Sequence, residues 1–452
     1  DGSSGTAIGN STLENLVGGS SIGIGSEAGR YATGSNNTFV GTEAGRGGTT
    51  SAPFSSGGNN TAVGFRALKF LTTGTYNVAM GYQAGTAVST GTMNVLLGYN
   101  TGASITTGTH NIIMGEQAGD GFTTGVSNIA IGRFAMGAAD GDESYNVFIG
   151  NYSGYVYNVS GNGYVTALGS SAFQTLGTGN SVGGVALGAR ALVSVGNYCG
   201  PHNIGIGYEA MGGTWATAES SYNIAIGNQA LAGAMNASNY NIAFGYRALY
   251  SVTTGDKNIG IGRMAGVNVT TADNGGIYIG EIAGYANSTG IQNTIIGYES
   301  YGQSTGTVNF RDVTTLGSHA GRYATGSYNT FIGSQAGMGG TTGAPHSSGQ
   351  FNTALGYGAL TAFTTATQIV AIGTNAGNEI TTGRNNTVIG HEAGSELKDD
   401  TGNTFLGAYA GYMVESDENT FIGVEAGEGS SGNTTGGQNT SIGYRSMESY
   451  TT

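Results

Sequence analysis

The chain has 452 residues, of which 87 are glycine, three are proline, one is cysteine and only 9% are charged, with a net charge of −13. Glycine stands near three times its usual share and charge far below it. A polyanion of this kind offers no electrostatic footprint to nucleic acid or to an anionic membrane surface, and a lone Cys199 excludes an intrachain disulfide framework. The few prolines and the lack of a glycine at every third position exclude collagen. No apolar run reaches the roughly 20 residues of a membrane span, and no signal peptide is visible. The chain begins at Asp1 rather than Met, as a processed product or a piece of a longer chain does.

In chain order a short unit recurs. NTAVGFRAL at 60–68 returns as NVAMGYQAG at 77–85, NIAIGNQAL at 223–231, NIAFGYRAL at 241–249 and NTFIGSQAG at 329–337. With the central glycine as anchor, 25 units run from Gly9, Gly25 and Gly41 to Gly407, Gly423 and Gly443, spaced by 16 to 23 residues. The residue before the anchor is large and apolar in all 25, the residue four before it is Asn in 18, and the residue three after it is Ala in 20. A disordered glycine-rich tract would not hold side-chain types at fixed offsets through changing spacers.

Each unit carries one short β-type run bounded by turn formers, too small to bury a core alone. Stacking makes a core, so the expected fold is all-β: a parallel β-solenoid (β-roll) of about 25 coils, with roughly two short strands per coil. A second glycine seven before the anchor, such as Gly74, Gly108, Gly255 and Gly383, reads as the other corner, held at positive φ. The stacked Asn77, Asn94, Asn111 and Asn128 form a candidate amide ladder. Ala84 and Ala118, in the Ala column, mark a place with room only for a small side chain. Residues 1–452 form a single repeat region without an internal boundary.

Neighbouring strand residues point to opposite faces. The residue before the anchor is always apolar and the one before that is apolar in 20 of 25 units. The strand is therefore expected to be covered on both faces, one in the coil's own core and the other against a partner. A second copy of the chain is the simplest partner, which favours a homo-oligomer, a trimer about the long axis above all. The alternative is a wider monomeric coil with both residues turned inward.

The units at 60–67, 77–84 and 223–230 resemble the head repeats of YadA-like trimeric autotransporter adhesins, and similar repeats occur in phage tail fibres. The resemblance covers nearly the whole chain. It implies a left-handed, trimeric β-roll that binds host or matrix surfaces. The coils here are longer than that family's, and no heptad stalk or membrane anchor is present in this segment, so no anchoring mechanism is implied.

Residues 25–73 recur at 317–365, an offset of 292, with 33 of 49 positions identical. Both copies contain a 23-residue spacing whose loop carries Pro53 or Pro345. This is either a higher-order repeat of a longer fibre, with paired surface bumps, or a tandem duplication without mechanical meaning.

Chemistry-bearing clusters are sparse. The five histidines lie in separate coils without metal-ligand spacing, and neither HExxH, GxSxG nor CxxC occurs. Asp140, Asp142 and Glu143 are the candidate calcium ligands, against solvated turns. Cys199 reads as an incidental thiol rather than a nucleophile. Aromatic residues just after the anchor, including Tyr82, Tyr99, Tyr208 and Tyr246, form either a sugar-binding stripe or coil-on-coil packing. Threonine-rich spacers suggest an ice-binding face or O-linked sugars. The combined expectation is a non-enzymatic protein without cofactors: an extracellular or cell-surface adhesin shaft with multivalent attachment to a surface glycan or host receptor. The rival readings are a tail fibre on a virion and a self-assembling matrix filament.

Overall fold

The computed structural model describes residues 4–17, 19–48, 54–121, 123–139, 141–158, 162–177, 182–215, 217–271, 275–302, 308–340, 347–429 and 436–448. They form a parallel β-solenoid of short rungs with almost no helix, the one helical piece being a 3-10 turn at Gly196–Tyr198. Two compact units divide the chain, residues 1–229 with 233–237, and residues 230–232 with 238–452. The first holds thirteen rung strands from Thr6–Ile8 to Ile224–Ile226, and the second holds twelve from Ile242–Phe244 to Thr440–Ile442. Within each unit successive rungs pair in parallel and in register, as Val78, Ala79 and Met80 do with Val95, Leu96 and Leu97.

The expectation of two strands per coil is corrected: each coil contributes one three-residue strand to the ladder. The rest of the coil turns through corners too tight for a second strand, and only isolated bridges such as Ala32 to Ser55 mark its far side. The one described exception is a two-stranded patch, Val156–Tyr157 beside Thr175–Leu176.

The corners are built by left-handed residues, most of them not glycine. In each rung the second residue after the anchor has positive φ, as in Glu27, Arg66, Gln83 and Phe134. The residue five before the anchor is often another, as at Tyr76, Met93, His110 and Tyr145. The glycine seven before the anchor is not a positive-φ corner at Gly74, Gly108 or Gly383, contrary to expectation. Glycine is needed there for close approach, since a Cβ on Gly74 would lie 2.4 Å from the Gly91 carbonyl oxygen of the next rung. At the anchor both demands meet: Gly81 has φ +140°, and its Cβ would lie 2.2 Å from the Gly98 oxygen.

The core is filled by a trade between two columns. The middle strand residue points inward and is fully buried, as are Phe39, Ala62, Ala79, Leu96 and Phe148. The residue four after the anchor also points inward. In nine rungs a bulky middle residue is matched by glycine at that second position, as in Phe39 with Gly45 and Phe148 with Gly154. In ten rungs a small middle residue is matched by a large one, as in Ala62 with Leu68 and Ala130 with Met136. The reason is steric. A Cβ on Gly45 would lie 2.2 Å from Phe39 Cδ1, and one on Gly154 would lie 2.5 Å from Phe148 Cδ1. In these nineteen rungs the two positions trade bulk, as close packing favours, while the other six, such as Ala79 with Gly85 and Ile295 with Tyr301, depart from the trade.

Candidate functional site

The asparagine column forms hydrogen-bonded spines through runs of consecutive Asn rungs. Asn94 donates its backbone amide and its Nδ2 to Asn77 Oδ1, at 3.1 and 3.0 Å, and its Nδ2 also to the Gly108 oxygen at 2.8 Å. Its own Oδ1 accepts the same pair of bonds from Asn111, and Asn128 continues the series. All four side chains are fully buried. At Val165, where Asn is missing, the backbone amide still reaches Asn146 Oδ1 at 3.1 Å and the Tyr157 hydroxyl supplies the absent side-chain donor at 3.2 Å, while Val165 offers no side-chain oxygen to the next rung. Ala84 and Ala118 are fully buried. These columns are buried within the coil and present no reactive group to solvent.

The outer face of the ladder differs. The first and third strand residues flank the buried middle one and point out of the coil, with burial patterns such as partly buried–buried–exposed in Val78–Met80. The third is apolar in every rung. Met80 is 46% exposed, Phe244 49% and Leu355 43%. The wider monomeric coil with both residues inward is therefore excluded. In the first unit the accompanying first residues are largely aliphatic, as in Val78, Val95, Ile112 and Ile129, whereas threonine dominates from Thr294 onward.

Aromatic side chains border this strip. Phe65, Tyr82 and Tyr99 stack in succession at 5.1 and 5.2 Å between ring centroids. A sugar ring stacks on an aromatic face, and both faces of Tyr82 are already taken by its neighbours. Tyr208 and Tyr246 lie exposed on the same column. The opposite border, five before the anchor, has its own exposed aromatics, with Tyr145 on Tyr164 at 5.5 Å and Tyr328 on Phe351 at 4.9 Å. Sequence reasoning missed that border, although its alternation with the strand residues was the available signal.

Of the candidate calcium ligands, Asp140 lies outside the described residues, as do Pro53 and Pro345. Asp142 is exposed, while Glu143 is buried and accepts the Gly141 amide at 3.2 Å, an arrangement that closes a turn. Among the described residues a carboxylate trio forms elsewhere, at Glu425, Glu428 and Glu448, and Arg445 pairs with Glu425. Burial, together with Glu425 and Glu448, raises the Glu428 carboxyl above its ordinary value. Asp400 is pushed up to about 6 by burial and by the nearby Asp399, Asp417 and Glu415. Cys199 is fully buried, which pushes its thiol up to about 12 and keeps it from forming a thiolate near neutrality.

The threonine spacers are engaged in the coil. Thr72 donates to the Ser89 oxygen, Ser89 to Thr106 and Thr106 to Thr123, at 3.0, 3.2 and 3.3 Å. No described helix is long and apolar enough to cross a membrane. No family model, curated protein or solved structure matches the chain.

Proposed function

We propose that the chain is a structural shaft whose apolar outer strip packs laterally against further copies, closing as a trimer. The observation that carries this reading is the unbroken apolar column beside the anchor glycines, exposed along both units. In the first unit two outward residues per rung and about 4.8 Å between rungs give a strip of roughly 600 Å². That equals the upper end of what a typical monomer leaves exposed and approaches the roughly 800 Å² per partner of a stable complex, while threonine narrows the apolar strip of the second unit from Thr294 onward. Stacked rungs, buried amide spines and an unreactive thiol suit a mechanical rather than a catalytic role. The resemblance to YadA-like heads supports a place at the cell surface, with attachment to a glycan or receptor through many weak, equivalent contacts.

Sedimentation of the purified chain tests the reading, with a mass near three chains expected at micromolar concentration. The variant carrying both Met80→Lys and Leu97→Lys places two charges on the strip without touching the core, and is expected to sediment as a single chain. A wild-type chain that stays monomeric at all concentrations would overturn the proposal.

A further inference from the structure

Four arginines stand two residues after an anchor glycine: Arg66, Arg190, Arg247 and Arg445. Three are neutralised within that column by a glutamate of an adjacent rung, Arg66 by Glu43, Arg190 by Glu209 and Arg445 by Glu425. Arg247 is the exception. The following rung of its unit carries Met264 at the equivalent place, and no carboxylate pairs with Arg247 among the described residues. The surrounding sequence does not cancel the charge either. Residues 238–264 hold Arg247, Lys257 and Arg263 against a single acid, Asp256, in a chain whose net charge is −13. Arg263 is engaged by Glu281 of the next rung, and Lys257 stands across the strand, five before its anchor. Arg247 is left as a cation without a counter-charge.

Aromatic rings hold it instead. The Arg247 guanidinium carbon lies 4.1 Å from the ring centroid of Tyr250 and 6.0 Å from that of Tyr246. Stacking uses the flat face of a guanidinium and leaves its N–H edge for an acceptor. Nε is buried without a partner, so Nη1 and Nη2 carry the donors that a ligand can meet on this half-buried side chain. Tyr246 is 44% exposed, and among the described residues no aromatic ring stacks on it. It differs in this from Tyr82, whose faces are taken by Phe65 and Tyr99. An open ring and an uncompensated, pre-oriented guanidinium therefore stand side by side on one rung.

We propose that Tyr246, Arg247 and Tyr250 form a binding site for a carboxylated sugar, a uronate. The sugar ring lies on the open face of Tyr246, and its carboxylate accepts two hydrogen bonds from the Arg247 guanidinium that Tyr250 holds in place. The tyrosine alone would take a neutral sugar and the arginine alone any small anion, so the pair selects a ring that carries an acid. The site occurs once per chain, which sets it apart from the many equivalent contacts proposed above. It lies on the flank that follows the anchor glycine and does not need the lateral packing of the strip.

Titration calorimetry of the full chain with trigalacturonate tests the site. Wild type is expected to bind one trisaccharide per chain, more weakly as salt is raised. The methyl ester of the same trisaccharide, which keeps the rings and loses the charges, is expected to bind at least about tenfold more weakly, and triglutamate, which keeps charges without a ring, to do the same. Arg247→Gln and Tyr246→Ser should each weaken trigalacturonate at least about tenfold. Neither endangers the fold, since Gln83, Gln117 and Gln335 stand in the first column and Ser318 and Ser334 in the second. The variant with Met80→Lys and Leu97→Lys is expected to bind as wild type does, whatever its sedimenting mass. No binding by wild type would overturn the proposal, as would an ester or triglutamate that binds as well as the acid sugar, or an Arg247→Gln chain that binds unchanged. Loss of binding in the Met80→Lys, Leu97→Lys chain would also count against it, because the site would then belong to the packed copies and not to the single chain.

Discussion

Residues 25–73 and 317–365 are two copies of one stretch with different surfaces, and the difference separates what specifies the coil from what decorates it. The backbone bonds coincide: Thr33 N to Ser55 O and Thr325 N to Ser347 O are both 2.7 Å, and Ser55 N to Tyr31 O and Ser347 N to Tyr323 O are both 3.0 Å. Phe39 and Phe331 fill the same buried place above Gly45 and Gly337. The charges do not coincide. In the first copy Glu27 and Glu43, together with Glu14 just before it, are laced across rungs by Arg30, Arg46, Arg66 and Lys69. In the second, Gln335, Met338, Gly358 and Thr361 stand in place of Glu43, Arg46, Arg66 and Lys69, and the remaining pairs are Glu299 with Arg322 and His319. An ion network can be removed without moving the rungs, so the inward columns carry the fold.

The most damaging way to break the equivalence is through the asparagine spine. Asn60 Nδ2 donates to Asn37 Oδ1, Gly58 O and Gly74 O at 3.1, 3.1 and 3.0 Å, and Asn77 leans on its Oδ1 in turn. Asn352 is followed by Ile369, which contributes only a backbone amide at 3.1 Å. Replacing either by Asp buries a carboxylate among carbonyl oxygens and removes the donors. Asn60→Asp is expected to cost about 4 kcal/mol of local stability and Asn352→Asp about 2 kcal/mol, read from amide hydrogen exchange in the flanking rungs. Equal losses would show that the spine is not cooperative. The next largest effect should be the same in both copies. Gly45→Ala and Gly337→Ala each place a methyl group against a buried phenyl ring at a left-handed residue, at φ +52° and +54°. Each is expected to cost about 3 kcal/mol by hydrogen exchange, and a difference above about 1 kcal/mol would mean that the two cores are packed differently.

The columns read directly from the sequence are those where one residue type repeats. Asn77 through Asn128, and the alanines at Ala84 and Ala118, recur because each rung presents the same partner to the next. The trade between Phe39 and Gly45, or Ala62 and Leu68, holds in most rungs but relates two columns to each other, so it vanishes when columns are read singly. The far corner was misplaced for a related reason. Positive φ was sought at glycine, while the structure puts it on Tyr76, Met93 and His110, whose strain the surrounding ladder holds in place. Glycine at Gly74 answers to the neighbouring carbonyl instead. The alternation of strand faces was legible, and burial resolved which face is inside. The acidic grouping at Glu425, Glu428 and Glu448 was not legible, because its members come from two rungs.

The smallest effect sharpens the comparison most, because it should appear in one copy alone. Burial works against ionisation of Glu43, but hydrogen bonds and charge from Arg66 and Lys69 outweigh it and hold its carboxyl below the ordinary 4.5. A carboxyl lowered on folding stabilises the fold above its unfolded value, and that share is lost as pH falls through the folded value. The site is close to solvent and screened, so the share is below about 1 kcal/mol. Amides of the rungs around Glu43 should therefore lose protection below pH 4.5, while those around Gln335 keep it. Glu43→Gln should make the first copy behave like the second across that range, at a neutral-pH cost within the same limit. If acid exchange instead loosened both copies alike, the carboxylate network would be irrelevant, and the acid response would have to come from groups that the two stretches share.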